Sequence, residues 1–270
     1  MIRKDLLEAS RKKKKRIIII RLALIFFLIL IIIALAVWSF YLNYFRIKNI
    51  EIFGNSFIEK EKIIGNINSS ISGKYFYLIP KDNILITSKK EIINNLQNNF
   101  LRIKSTDIIK ELPDKVIVTI KEREPVALLC EDKKCFFIDD SGYVFEESPF
   151  FSGDVFIKFI DKRENVGNLV SDGKLSFRLI PEDEFRNLIN FLELLSKDGI
   201  KISDIILKNE DLYELYTIEG WYILLSKRID FTIAFDNLKI TLNSQIKEKR
   251  LDLEYIDLRL ENKVFFKYKD

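Results

Sequence analysis

One segment limits what this chain can be. Residues 22–42 contain no charged side chain, and the basic cluster Arg11-Lys12-Lys13-Lys14-Lys15-Arg16 stands just ahead of them. About 20 helical residues at ~1.5 Å each match a bilayer core of ~30 Å, so the run predicts a transmembrane helix over residues 22–44. A cleaved signal peptide would have a shorter apolar region ending in small residues. This one ends in Trp38-Ser39-Phe40-Tyr41-Leu42-Asn43-Tyr44-Phe45, which predicts an uncleaved anchor, and a buried core helix would show a polar face. In the first 21 residues nine Lys/Arg stand against two acids, +7, leaving −3 for the rest of a chain whose net charge is +4. Short basic flanks stay in the cytoplasm. The expectation is therefore a cytoplasmic tail over 1–21 and an exported body over 45–270, with Trp38, Tyr41 and Tyr44 forming an interfacial belt.

The body of about 225 residues has room for one large domain or two small ones. Being mildly acidic, it gives no support to nucleic-acid binding. The basic run fits anionic lipid headgroups instead.

Residues 45–124 read as one unit. Ile47, Ile50 and Ile52 belong to a strand that stops at the turn pair Gly54-Asn55. Ser56, with Glu59 three residues on, has the signature of a capping box opening a helix over 58–67. Ser88 and Glu91 repeat that signature ahead of a helix over 91–100, whose Ile92, Ile93, Leu96 and Phe100 share a face. Strands over 101–112 and 116–124 follow, joined by a turn at Pro113-Asp114. Strand, helix, helix, strand, strand is an α+β sandwich with helices on one sheet face.

The anchor, Ile50-x-Ile52-x-Gly54-Asn55, Leu112-Pro113 and the closing Glu122-Arg123-Glu124-Pro125-Val126-Ala127 resemble the POTRA domain of the FtsQ/DivIB family of bacterial cell-division proteins. One departure is Phe53, where that family usually has a smaller residue. Outer-membrane assembly factors also carry POTRA domains, but they end in a membrane barrel for which this chain has no room.

Residues 125–270 extend the resemblance. Cys135 to Phe145 read as a hairpin around Asp139-Asp140-Ser141-Gly142, and the family has a similar Ile-Asp-x-x-Gly-x-Val-Phe at this distance. A strand over 155–160 leads to a helix opening at Pro181 and closing at Gly199, with Phe185, Leu188, Ile189, Leu192 and Leu195 as its core stripe. Strands over 202–208, 212–217 and 221–225 precede a helix over 229–243, which turns Phe231, Ala234, Phe235, Leu238 and Leu242 inward. The chain finishes on Tyr255-Ile256-Asp257-Leu258-Arg259 and a strand over 263–269, similar to the end of the family's β domain. The fold class expected is α+β: one transmembrane helix, a POTRA-type domain, then a mixed-sheet β domain with two helices over 125–270.

Catalytic machinery is hard to assemble from these residues. The chain has no histidine, which removes Ser-His and Cys-His nucleophilic systems and nearly all zinc sites. Ser171-Asp172-Gly173-Lys174 fits Ser-x-x-Lys of penicillin-recognising acyl enzymes, but the companion Lys-Thr-Gly is missing and Asp-Gly reads as a turn. Asp139-Asp140 and Glu146-Glu147 read as solvated turn residues rather than a glycosidase pair. No phosphate-cradling loop follows Gly73-Lys74. The expectation is no enzyme, no cofactor, no metal and no small-molecule substrate. Cys130 and Cys135, with four residues between them, allow either a disulfide or two free thiols, since strand register is not readable.

A non-catalytic role turns on partners. Nothing in the sequence follows the last strand to cover its outer edge, and an exposed edge accepts a partner strand. The resemblance implies that FtsB/DivIC-like and FtsL-like single-pass proteins bind the end of the β domain and link it to a septal peptidoglycan synthase. The residues expected at that surface are Arg259, Leu260, Val264, Phe265, Phe266 and Tyr268, with Leu260 standing where the family often has an aromatic. The function expected is a membrane scaffold at the division septum. The alternative is a POTRA-bearing envelope transport or assembly factor that docks exported chains.

Overall fold

A computed structural model of the chain describes residues 2–41, 43–75, 77, 79–132, 134–151, 153, 155–163, 176–209 and 211–269. Two compact units emerge, Met1–Glu122 and Arg123–Asp270. The Ser171–Lys174 motif lies outside the described residues. Helix α1 (Ile2–Phe40) begins the first unit. Among the described residues it alone is long and apolar enough to cross a membrane. The stretch that qualifies is Lys15–Leu35, mean hydropathy 3.4, so it starts earlier than the expected 22–44 and overlaps it only in part.

The first unit continues with β1 (Asn49–Phe53), α2 (Lys60–Ile71), β2 (Lys74–Tyr75), β3 (Ile79–Pro80), α3 (Lys89–Asn99), β4 (Ile103–Glu111) and β5 (Lys115–Glu122). Its sheet has the order β1-β5-β4, with β1 parallel and β4 antiparallel to β5. Val116, Val118 and Ile120 of β5 are buried with Ile63 and Ile67 of α2 and Ile92 and Leu96 of α3. The neighbours Ile117, Thr119 and Lys121 are not buried, as period-two alternation requires. β2 and β3 form a small hairpin that periodicity did not disclose.

One of the two expected helix caps holds. The Ser88 side chain accepts from the Glu91 N–H at the start of α3. The expected box at Ser56 and Glu59 does not form, because α2 starts at Lys60 and Glu59 makes no side-chain cap bond. The N–H groups of Ser56, Phe57 and Ile58 instead donate to the Glu122 carboxylate at 2.9–3.2 Å. A carboxylate taking several backbone donors satisfies more of them than one serine hydroxyl could. Gly54 has φ +79°, and a Cβ there would stand 2.1 Å from the Ile120 carbonyl oxygen. Only glycine fits the turn that brings β1 against β5.

The second unit contains β6 (Ala127–Glu131), β7 (Lys134–Ile138), β8 (Tyr143–Glu147), β9 (Ile157–Asp161), β10 (Phe177–Arg178), α4 (Glu182–Lys197), β11 (Ile202–Leu207), β12 (Leu212–Thr217), β13 (Tyr222–Ser226), α5 (Phe231–Thr241), β14 (Leu253–Leu260) and β15 (Lys263–Tyr268). They form one open ten-stranded sheet in the order β10-β8-β7-β6-β9-β11-β12-β13-β14-β15. The β6–β9, β9–β11 and β13–β14 pairs are parallel and the rest antiparallel, which makes the sheet mixed as expected. α4 and α5 cover one face. Phe185, Leu188, Leu195, Ala234 and Leu238 pack there against Ile205, Leu215, Ile223 and Ile256. The helix expected over 229–243 ends sooner, at Thr241, and continues as wider and then tighter turns through Asp252.

Asp139 departs from expectation. It is fully buried, whereas a solvated turn residue was expected. Its carboxylate accepts from the backbone N–H of Ser141 (2.9 Å) and Tyr143 (3.0 Å), the Ser141 hydroxyl (2.7 Å) and the Arg123 guanidinium (2.5 Å). Arg123 also lies 3.9 Å above the Tyr143 ring. The Arg of the Glu-Arg-Glu-Pro motif and the Asp of the hairpin motif are thus one buried ion pair.

Candidate partner-binding edge

The expected docking residues all fall on the β14–β15 hairpin at one end of the ten-stranded sheet. β15 pairs antiparallel with β14, Ile256 opposite Phe266 and Asp257 opposite Phe265. Among the described residues no strand pairs with its other side. The hairpin is held at its turn by the Asn237 side chain of α5, which donates to the Glu261 carbonyl at 2.7 Å, and along its length by Lys267 to Glu254 at 2.6 Å.

The six residues divide into three kinds. Val264, Phe266 and Tyr268 are half-buried against the α4/α5 core, with the Phe266 and Tyr268 rings edge-to-face at 5.6 Å. They build the strand and offer little to a partner. Arg259 folds back on Asp257, two residues earlier, with Nε and Nη2 donating to the two carboxylate oxygens at 2.9 and 2.6 Å. Burial would raise the Asp257 carboxyl, but the Arg259 side-chain and backbone donors outweigh it and hold it below its ordinary value. The same hydrogen bond raises Arg259. Leu260 and Phe265 are the exposed pair, at 53% and 54%. An exposed phenylalanine next to an unpaired strand edge suits recognition by main-chain bonds plus a side-chain anchor.

The face opposite the helices continues from Phe265 in a row that sequence reasoning missed. Asp257 lies opposite Leu224, and Leu224 opposite Glu214. One row over, Tyr216, Tyr222 and Tyr255 are successive cross-strand neighbours with ring centroids 5.0 and 5.6 Å apart. The Tyr216 phenol is pushed up to about 12 by burial and by the Glu214 carboxylate. The available signal was alternation in β12 and β13, which sends Leu215, Ile223 and Leu225 to the core and Tyr216, Tyr222 and Leu224 away from it. Cys130 and Cys135 face each other across β6 and β7, Cα atoms 4.1 Å apart, and are bonded.

Residues 45–123 match the family described as POTRA domain, FtsQ-type. Most of the chain also aligns with cell division protein DivIB of Clostridium tetani, 28% identical over 82% of this chain and 69% of that protein. DivIB of Clostridium botulinum is 29% identical over 83% of this chain and 82% of its own length. Over most of its length the chain is similar to the DivIB and FtsQ cell-division proteins, and residues 45–123 match their POTRA domain. Cell division protein FtsQ of Rickettsia conorii aligns at 24% identity over 64% of this chain and 73% of its own length. The solved extracytoplasmic domain of DivIB from Geobacillus stearothermophilus shares 13% identity over 47% of this chain and 99% of that domain, at a TM-score of 0.26, too loose a superposition to bear on the fold. These relatives support a role in cell division for a chain whose N-terminal helix is long and apolar enough to cross a membrane.

Proposed function

We propose that this chain is an FtsQ/DivIB-type single-pass scaffold of the division septum. Its N-terminus lies in the cytoplasm and residues 45–270 lie on the outer side of the cell membrane. FtsB/DivIC-like and FtsL-like partners join it at the β15 edge, the former adding a strand, and through them the scaffold holds the septal peptidoglycan synthase. The basic tail rests on anionic lipid. The observation that carries this reading is the unpaired β15 with Phe265 exposed beside it. The Arg-Asp and Glu-backbone networks formed by the family-like motifs support it differently: those residues maintain the fold and leave the surface to act. Among the described residues the ten-stranded sheet is open at β10 and β15 and does not close into a barrel, and no specific observation favours the envelope-transport alternative.

Depletion in the native cell tests the proposal. Cells should elongate without completing septa, and wild-type protein but not Phe265→Asp should restore division. Normal septation in depleted cells contradicts it.

A further inference from the structure

The β2–β3 hairpin sits beside the end of the anchor. Phe45, only four residues after Tyr41, accepts at its carbonyl from the Ile84 N–H (2.8 Å), and the Ile47 N–H donates to the Asp82 carbonyl (2.9 Å). The Arg46–Asn83 bridge lies between them. Lys74, the first residue of β2, places its ammonium 5.7 Å from the Tyr41 ring centroid. Tyr41 is six residues past Leu35, where the qualifying span ends. That is about 9 Å of helix, against a headgroup layer of roughly 5–8 Å on each side of the core. The hairpin base is therefore at the outer edge of the lipid headgroups.

The hairpin tip is unusual for a turn in water. Tyr77 has φ +60°, a conformation that turns normally give to Gly, Asn or Asp. Its side chain is 95% exposed, and in the sequence it stands between Phe76 and Leu78. The base of the hairpin is fixed to α3, since Tyr75 Oη and Lys81 Nζ both donate to Glu91, at 2.8 and 2.6 Å. The tip is thus presented outward by an anchored stem. Tyrosine favours the membrane–water interface, where its ring is buried and its hydroxyl stays wet. Lysine can reach a lipid phosphate from a buried stem.

We propose that this hairpin is a second membrane contact: Tyr77 enters the outer-leaflet interface while Lys74 pairs with lipid phosphate, seating the first unit on the bilayer from which its helix emerges. The occupant is the lipid surface itself, because the hairpin is continuous with the anchor that already lies in it.

The test uses the full chain in phosphatidylcholine–phosphatidylglycerol vesicles, with a nitroxide on Tyr77→Cys and, separately, on Tyr41→Cys and on Thr119→Cys, an exposed position of β5. Collision with dissolved oxygen reports lipid, and collision with a water-soluble nickel complex reports solvent. The oxygen-to-nickel ratio at position 77 should be several-fold above that at 119 and close to that at 41. Equal ratios at 77 and 119 overturn the proposal. So does shielding of position 77 from both probes, which would mean that a second protein copy, not lipid, covers the tip.

Discussion

Replacing Asp139 by alanine should cost the second unit far more than a turn carboxylate could. The substitution removes the acceptor of two backbone N–H groups and a hydroxyl, and takes the carboxylate of the ion pair away from Arg123, whose side chain is 14% exposed. Breaking one side of a buried ion pair costs about 3–5 kcal/mol. Two orphaned backbone donors at ~1–3 kcal/mol each fall in the same range and overlap with that cost. In a unit of this size ~1 kcal/mol moves the melting midpoint by roughly 2–4 °C, so the expected fall is about 6–20 °C. Trp221 is fully buried in this unit, and its emission, in a Trp38→Phe background in detergent, follows unfolding there. Adding Arg123→Ala should cost much less than it does alone. Burial would raise the Asp139 carboxyl, but bonds from Ser141, Tyr143 and Arg123 outweigh it and hold it below its ordinary value. A group depressed in the folded state stabilises above its unfolded pKa, about 3.9, and loses that contribution as pH falls through the folded one. The gap between wild type and variant should therefore close on acidification below about pH 4. A variant within ~0.5 kcal/mol of wild type at neutral pH refutes the reasoning.

Three further outcomes follow from the geometry. Gly54→Ala should destabilise the first unit by at least ~2 kcal/mol in urea unfolding, because the position adds a left-handed φ to a 2.1 Å approach to Ile120. Ser88→Ala should cost about 1 kcal/mol through the lost cap of α3, read from the same unfolding curves. Phe266→Asp should lower the Trp221 unfolding free energy by ~2–3 kcal/mol, because that ring packs on the core.

Local signals read well wherever local bonds decide the outcome. Alternation placed β12 at residues 212–217, and the Ser88 signature placed the start of α3 within two residues. The misreadings share a cause. Ser56 and Glu59 have the letters of a cap, but the N–H groups of Ser56, Phe57 and Ile58 are taken by Glu122, more than 60 residues away. Asp139 has the letters of a turn, but Arg123 reaches it from outside the hairpin. Short-range propensity cannot see a partner that only the fold brings near. β6 went unread because its run Ala127-Leu128-Leu129 is buried on both faces and does not alternate. At the candidate edge the sequence located the hairpin. Separating Phe265 from Phe266, one outward and one inward, needed the register with β14.

That separation gives the most direct measurement. Full-length protein carrying Phe265→Asp, extracted from native membranes, should no longer co-purify its FtsB/DivIC-like and FtsL-like partners, while Trp221 reports an unfolding midpoint equal to wild type. Undiminished co-purification by the folded Phe265→Asp protein would contradict the β15 edge as the docking site.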